Sequence, residues 1–518
     1  MKPLSRSLAI FFLGLFILLS LMTVLRHEMW RDELQAWLLA KEQTSFGDLS
    51  QAGRYEKHPM AWFIGLFLLS RLTGTPLAMQ LFHVGLAALS AWLVLRFAPF
   101  IQVQKVLLIF SYYLFFEYNI ISRNYALGVL SLFLFCVFFT REPTKPLLSA
   151  ASLFVLANTS VYGLILALAA GAVMSLDFLA DRSLRKKWAS YAALLLVCAG
   201  GLLCVLYLRP VPDASYDQVS KAHTAFNAGL LSTVLRTLPR SYLPMPRPTF
   251  HFWNTNLLEK APSNLPVNAV FAVLILILAV ALLKKSWAAL AFYGLSTAGI
   301  LAWTYIASVG FARHYGHLFL ALIAAIWLAR ARADPVKSAA SAGTDPETPG
   351  STALSGILTA IFAVQAAGGL FSAGMDIIYP FSQAKAVAGY IKQNGYADLP
   401  IVGEMDYLMT PVSAYLGRKF YFVRGERLGS YVKWDMKRFQ DVSPRLILER
   451  AEQFAWKKQK DCLILLNFHL DPRLERPGYL TKLTATDRAI VAGEIYRLYL
   501  LKYTGPSPAG GQAGPPQY

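Results

Sequence analysis

Long apolar runs fill the first three-quarters of the chain, and short polar stretches separate them. The runs lie at 8–25, 77–95, 105–119, 122–139, 147–158, 160–179, 188–208, 266–283, 287–308, 313–330 and 354–373. Several reach the roughly 20 residues that a helix needs to cross a bilayer. The pattern therefore predicts a polytopic α-helical membrane protein with about eleven to thirteen transmembrane helices. One further run, Pro59 to Leu72, is short for a crossing. The first run follows Lys2 and Arg6, is longer than the apolar part of a usual signal peptide, and has no small-residue cleavage site after it. It reads as an uncleaved helix with its N-terminus inside.

Basic residues sort the loops. Arg96 to Lys105, Arg141 to Lys145, Arg182 to Lys187, Lys284-Lys285 and Arg330 to Lys337 are the positive connections, and such loops stay in the cytoplasm. Keeping all of them inside leaves 59–72 in the outer interface or re-entrant, gives about eleven crossings and puts the C-terminus outside. In the competing topology 59–72 crosses, 147–179 is one tilted span, and residues 118–122 fall inside. The first is preferred, because Asn158-Thr159-Ser160 supplies a turn in the middle of 147–179.

After about residue 375 the pattern changes. Pro400 to Glu404, Lys419 to Val423 and Cys462 to Asn467 read as short strands, and Asp406 to Leu416 and Ser443 to Lys458 as helices. This alternation predicts a small α/β domain with a largely parallel sheet. The expected organisation is a membrane domain over 1–375 with outer loops 26–58 and 209–265, an extracytoplasmic α/β domain over 376–503, and a disordered Pro/Gly-rich tail over 504–518. Ala331 to Ser355 reads as a flexible linker.

Composition agrees. Hydrophobic residues make up 56% of the 518 and charged residues 15%, against about 25% charged in soluble domains. The net charge of +19 does not indicate nucleic acid, because the basic residues sit in short loops between spans. The four cysteines have neither metal-ligand nor disulfide-framework spacing.

Four polar strings stand at predicted outer ends of spans. The first holds Asp32 and Glu33 within Trp30 to Trp37, where Trp30, Leu34, Trp37 and Leu38 have helical spacing. Neighbouring helical positions differ by about 100°, so the two acids do not share one task; a solvated first turn also accommodates them. The second is Arg54 to Pro59, in which Glu56 and His58 are potential metal ligands and Lys57 a phosphate contact; a loop with Pro opening a helix is the bland alternative. The third is Glu117 to Tyr125. Arg123, with Asn124 and Tyr125, suits a lipid-linked phosphate, since guanidinium donates in a bidentate fork; Arg123 also fits as a snorkelling flank. The fourth is Phe311 to His317, with Arg313 as a phosphate contact and His314 as a metal ligand, where His314 and His317 share a helical face; ordinary interfacial histidines fit it too. The stretch 209–265, with Tyr242, Arg247, His251 and Trp253, is either a lid or a connector.

These strings resemble those of the GT-C class of polyprenyl-phosphate-dependent glycosyltransferases, which includes the protein O-mannosyltransferases and the lipid A aminoarabinose transferases. The resemblance spans roughly residues 8–330. It rests on the acidic pair Asp32-Glu33, the Glu56-to-Pro59 string before the next apolar run, and the Arg-containing turn near 123. Some members carry an acid in that turn, where this chain has Ser122-Arg-Asn-Tyr125. The resemblance implies a multi-pass inner-membrane enzyme with a GT-C fold. It would move a hexosyl or pentosyl group from a polyprenyl-phosphate donor to an extracytoplasmic lipid, glycan or protein. On this reading Asp32 is the general base, Glu33 its support, transfer inverts the anomeric centre, and Arg123, Lys57 or a divalent cation steadies the departing phosphate. A lipid-linked glycan polymerase or ligase, a transporter or flippase, and a membrane scaffold are the alternatives.

Overall fold

The structure, a computed structural model, describes residues 4–209, 211–215, 225–260, 265–307, 309–331, 349–439 and 442–505. Most of the expected linker, the end of the expected tail and parts of the 209–265 loop lie outside them. The chain divides into two compact units, Met1–His27 with Leu39–Tyr379, and Glu28–Leu38 with Pro380–Tyr518.

The first unit is helical. Among the described residues, eight helices are long and apolar enough to cross a membrane: Arg6–Val24, Leu77–Phe97, Val161–Ala180, Trp188–Tyr207, Leu265–Leu283, Trp287–Ile306, Ala312–Ala331 and Thr352–Ile378. Three shorter apolar helices, Ala61–Leu72, Tyr125–Arg141 and Pro146–Ala157, accompany them. The segment 59–72 forms a helix of 12 residues, about 18 Å long at 1.5 Å per residue, well short of the roughly 30 Å hydrocarbon core. The turn read at Asn158 to Ser160 is present: the Ser160 hydroxyl caps the next helix, accepting from Gly163 N at 2.9 Å. Ala312–Ala331 is the innermost span, with 89% of its apolar window buried, whereas Leu265–Leu283 is 17% buried.

The run 105–119 is not one helix. It breaks after Gln102–Ile109 and resumes as a π-helical turn over Tyr112–Glu117. Ser111 opens that turn, its hydroxyl accepting from Leu114 N. A close backbone approach accompanies the break: a Cβ on Gly369 would lie 2.6 Å from Phe110 O and 2.9 Å from the carbonyl carbon of Ser111. Wide turns of this kind recur where a helix presents functional side chains.

The second unit is a six-stranded sheet in the order β3-β2-β1-β4-β6-β5. Its strands are β1 (Ile401–Gly403), β2 (Phe420–Phe422), β3 (Arg427–Gly429), β4 (Cys462–Leu466), β5 (Leu480–Ala485) and β6 (Arg497–Leu501). The three strands read from the sequence form its parallel centre, β2-β1-β4. The sheet is mixed rather than largely parallel, because β3, β6 and β5 add antiparallel pairs. Helices cover both faces, which explains why β1 and β4 are buried throughout. Ala384–Gln393 and Asp406–Leu416 pack on the side of Ile401, Leu463 and Leu465. Pro444–Lys458 packs on the side of Val402, Ile464 and Leu466.

Candidate functional site

Glu117 to Tyr125, expected as an outer turn, is buried along its whole length. A buried loop must satisfy its backbone internally, and His83 on Leu77–Phe97 does much of this. Its Nδ1 lies 2.8 Å from Asn119 O, and Arg123 N donates to its Nε2 at 3.1 Å. Nε2 also lies 2.9 Å from Arg123 O, so both ring nitrogens hold the loop backbone. Asn119 Nδ2 donates to Ser20 Oγ at 2.7 Å, and Asn124 Nδ2 to Thr159 O at 2.5 Å. Asn124 therefore anchors the loop to the 158–160 turn.

This frame holds Arg123 with 8% exposure and directs its Nη2 to His58 Nε2 at 3.3 Å. Tyr125 sets its ring against His314 and His317, with centroids 6.2 and 5.5 Å apart. Tyr162 stacks on the same two imidazoles at 5.4 and 5.0 Å. Tyr118 donates to Arg313 O at 2.8 Å. The imidazoles are fixed from the main chain: Phe311 N donates to His314 Nδ1 at 3.0 Å, and His317 Nδ1 lies 2.9 Å from His314 O. Arg313 is buried, with its guanidinium over Phe311 and Trp253 at 4.7 and 5.8 Å. Arg313, His58 and Arg123 all act electrostatically on His314. The first unit thus gathers His58, Arg123, Tyr125, Arg313 and His314 from three separated segments.

Glu117 completes the cluster. Tyr112 Oη and Trp253 Nε1 donate to its Oε2 at 2.9 and 3.1 Å, while Arg313 and Arg123 act on it through their charge. Trp253 belongs to the loop read as lid or connector. The same loop binds the start of Ala312–Ala331, where Asn254 Oδ1 accepts from Ala312 N at 3.4 Å. His83, Tyr118 and Tyr162 were not singled out from the sequence, nor was Glu117 given a role. The available signal was an ionisable residue inside or at the edge of an apolar run, which marks function by default.

Lys57 is exposed at a left-handed position, φ 53°, closing the turn Arg54–Glu56. The metal set expected at Glu56, His58 and His314 does not form: among the described residues no three His, Cys, Asp or Glu side chains are grouped to hold an ion. The guanidinium facing His58 Nε2 is itself a cation where a metal would have to sit. As placed, these residues do not fit a divalent ion.

Asp32 and Glu33 belong to the second unit, in the first turn of Arg31–Glu42. Glu33 is fully buried and its Oε2 accepts from Trp30 N at 3.1 Å, so it closes the helix start. Asp32 is partly exposed. The helix is held at two further points. Gln35 exchanges paired hydrogen bonds with the main chain of Val432, both 2.8 Å, and Arg31 N donates to Glu494 Oε1 at 2.9 Å. Burial pushes the Glu494 carboxyl up to about 7, and the charge of Asp32 adds to the rise, against the pull of Arg31 and Ser382.

The fold is of the GT-C class of integral-membrane proteins. Two solved structures from Cupriavidus metallidurans share it. ArnT bound to undecaprenyl phosphate aligns with a TM-score of 0.53 at 12% identity, over 97% of this chain and 100% of that one. ArnT in the apo state aligns with a TM-score of 0.50 at 14% identity, over 97% and 99%. No protein-family model matches the sequence, and no curated protein does.

Proposed function

We propose that this protein is a membrane glycosyltransferase that takes a sugar from a polyprenyl-phosphate donor and passes it to an extracytoplasmic lipid, glycan or protein. The observation that carries the reading is the cluster of buried Arg123, Arg313 and His317 with half-buried His58 and His314, walled by Tyr118, Tyr125 and Tyr162. A lipid phosphate needs cationic and hydrogen-bonding donors for its oxygens and apolar walls for its chain, and this cluster has both. The shared fold adds support, because one of the ArnT structures holds undecaprenyl phosphate.

The chemistry follows from the leaving group. A polyprenyl phosphate departs as a stable anion, so transfer asks for charge stabilisation and not for a general acid. Arg123 and Arg313 are the proposed phosphate ligands. Asp32 is the proposed base that removes the proton from the acceptor hydroxyl or amine, and direct displacement would invert the anomeric carbon. Glu33 has the supporting part, fixing the helix that bears Asp32.

Mass spectrometry of lipid-linked sugars and envelope glycans, in strains with and without the protein, tests the reading. A polyprenyl-phosphate sugar should accumulate and one glycan modification should vanish in its absence. Asp32→Asn should reproduce that pattern while the protein still folds. An unchanged glycan and lipid profile would sink the transferase reading; normal transfer by Asp32→Asn would remove Asp32 as base.

A further inference from the structure

The second unit carries a basic cavity that the transferase reading does not use. It has a volume of about 420 Å³ and lies where β1 and β2 begin and Pro444–Lys458 ends. Arg418, Lys419, Lys457 and Lys458 line it, together with the apolar side chains of Leu428 and Phe454. No acidic side chain is among its lining residues. Asp398 acts on Arg418 through its charge, and it is not among the lining residues.

A basic patch is ordinarily a solvated face, and lysines at a helix end ordinarily answer its negative pole. Two observations argue against that here. Two of the last four carbonyls of Pro444–Lys458 are already engaged by the main chain: Gln459 N bonds to Trp456 O, and Lys460 N to Ala455 O. In addition, Arg418 stands on a different element, and its Nη1 is buried with no hydrogen-bond partner among the described residues. Leaving a buried donor unsatisfied is costly, and such groups usually have a ligand, ion or water to meet. Phe454 supplies a flat apolar wall, with Lys458 Nζ 5.9 Å from its ring centroid.

We propose that this cavity binds a phosphate monoester carried on a larger body, with Arg418 as the principal ligand of the phosphate and Phe454 and Leu428 against the attached group. A phosphate monoester offers three acceptor oxygens and close to two negative charges, which suits converging donors. The volume falls within the range of small-molecule sites, about 300–1,000 Å³. The assignment is independent of the donor site in the first unit.

The test is titration calorimetry on the full chain in phosphatidylcholine nanodiscs, with glucose 6-phosphate as probe and glucose as the neutral control. Glucose 6-phosphate should bind, glucose should not, and added salt should weaken binding. Arg418→Ala should weaken it about tenfold or more, the usual effect of losing a charge-assisted hydrogen bond. The variant should fold, because the hydrogen bonds tying Arg418 to Ser413 use only its main chain. Lys458→Glu, on an exposed site, should also weaken binding, and Arg123→Gln should leave it unchanged. Nanodiscs doped with phosphatidic acid separate the sources. Loss of glucose 6-phosphate binding there would assign the phosphate to a lipid headgroup, and unchanged binding to a soluble saccharide; both support the site. No binding by the wild type, equal binding of glucose, or wild-type affinity in Arg418→Ala would overturn it.

Discussion

Replacing Glu494 by Gln should make the protein more stable at alkaline pH and leave it nearly unchanged in acid. The carboxyl is fully buried; its Oε1 accepts from Arg31 N at 2.9 Å, while its Oε2 has no partner among the described residues. Burial, with Asp32 adding to it, raises its pKa from 4.5 to about 7. A raised carboxyl favours the protonated folded state. Its contribution is therefore complete below the unfolded pKa and is lost as pH climbs to the folded value. Between those limits only the folded chain holds the proton, so stability falls by about 1.4 kcal/mol per pH unit, to at most about 3 kcal/mol in total. Gln keeps the shape and the carbonyl acceptor for Arg31 N but does not ionise. Thermal unfolding of both proteins from pH 5 to 9 measures the difference. At about 2–4 °C per kcal/mol for a unit of this size, the variant should exceed the wild type by several degrees above pH 8 and by far less near pH 5. Parallel curves across the whole range would refute the reasoning.

Gly316→Ala should destabilise the first unit by about 1–3 kcal/mol, because the new Cβ would lie 2.4 Å from Tyr113 Cε1 and 2.5 Å from Tyr118 Oη; a lower unfolding temperature in detergent checks it, and an unchanged one would contradict the packing described. Asp376→Asn removes a charge from the fully buried pair His27 Nδ1–Asp376 Oδ2, 2.7 Å apart, and should cost about 1–3 kcal/mol, read in the same assay. Arg123→Gln should raise the KM for the donor and lower kcat together, measured by steady-state transfer with a polyprenyl-phosphate sugar; a change in neither would remove Arg123 from the phosphate site.

Much of this architecture is legible in the sequence because the driving forces are local. An apolar run long enough for a bilayer has one stable solution, a helix, and the ends of Arg6–Val24, Leu77–Phe97 and Trp188–Tyr207 fall within a few residues of those read from hydropathy. The parallel strands β1, β2 and β4 were equally plain, since strands buried on both faces are continuous apolar runs. What escaped depends on distant partners. The break at Phe110 accompanies the close approach of Gly369, far along the chain. The edge strands β3 and β5 have partly exposed positions and no strong run. Arg123 is legible as a phosphate contact or a flank, but only the folded chain brings His58 and His83 to it. The acidic pair shows both sides of this. Helical spacing separated the tasks of Asp32 and Glu33, but assigning helix closure to Glu33 required the 3.1 Å contact with Trp30 N.

The charge arrangement of the first unit bears on why transfer would favour such a cluster. In the proposed reaction the donor phosphate is a diester with one negative charge, and the departing polyprenyl phosphate is a monoester that gains a second. A cation beside it therefore gains attraction as the bond to the sugar breaks, so it stabilises the transition state more than the bound donor. Burial strengthens that gain, because the same charges interact more strongly outside bulk water. Burial also makes an excess of positive charge costly before the donor arrives. Glu117 stands beside these cations, its carboxyl held by Tyr112 and Trp253 within the field of Arg313 and Arg123. His83 holds the backbone of the loop that carries Arg123 through both ring nitrogens. A site with two buried guanidinium groups is therefore most favourable when the phosphate carries its second charge.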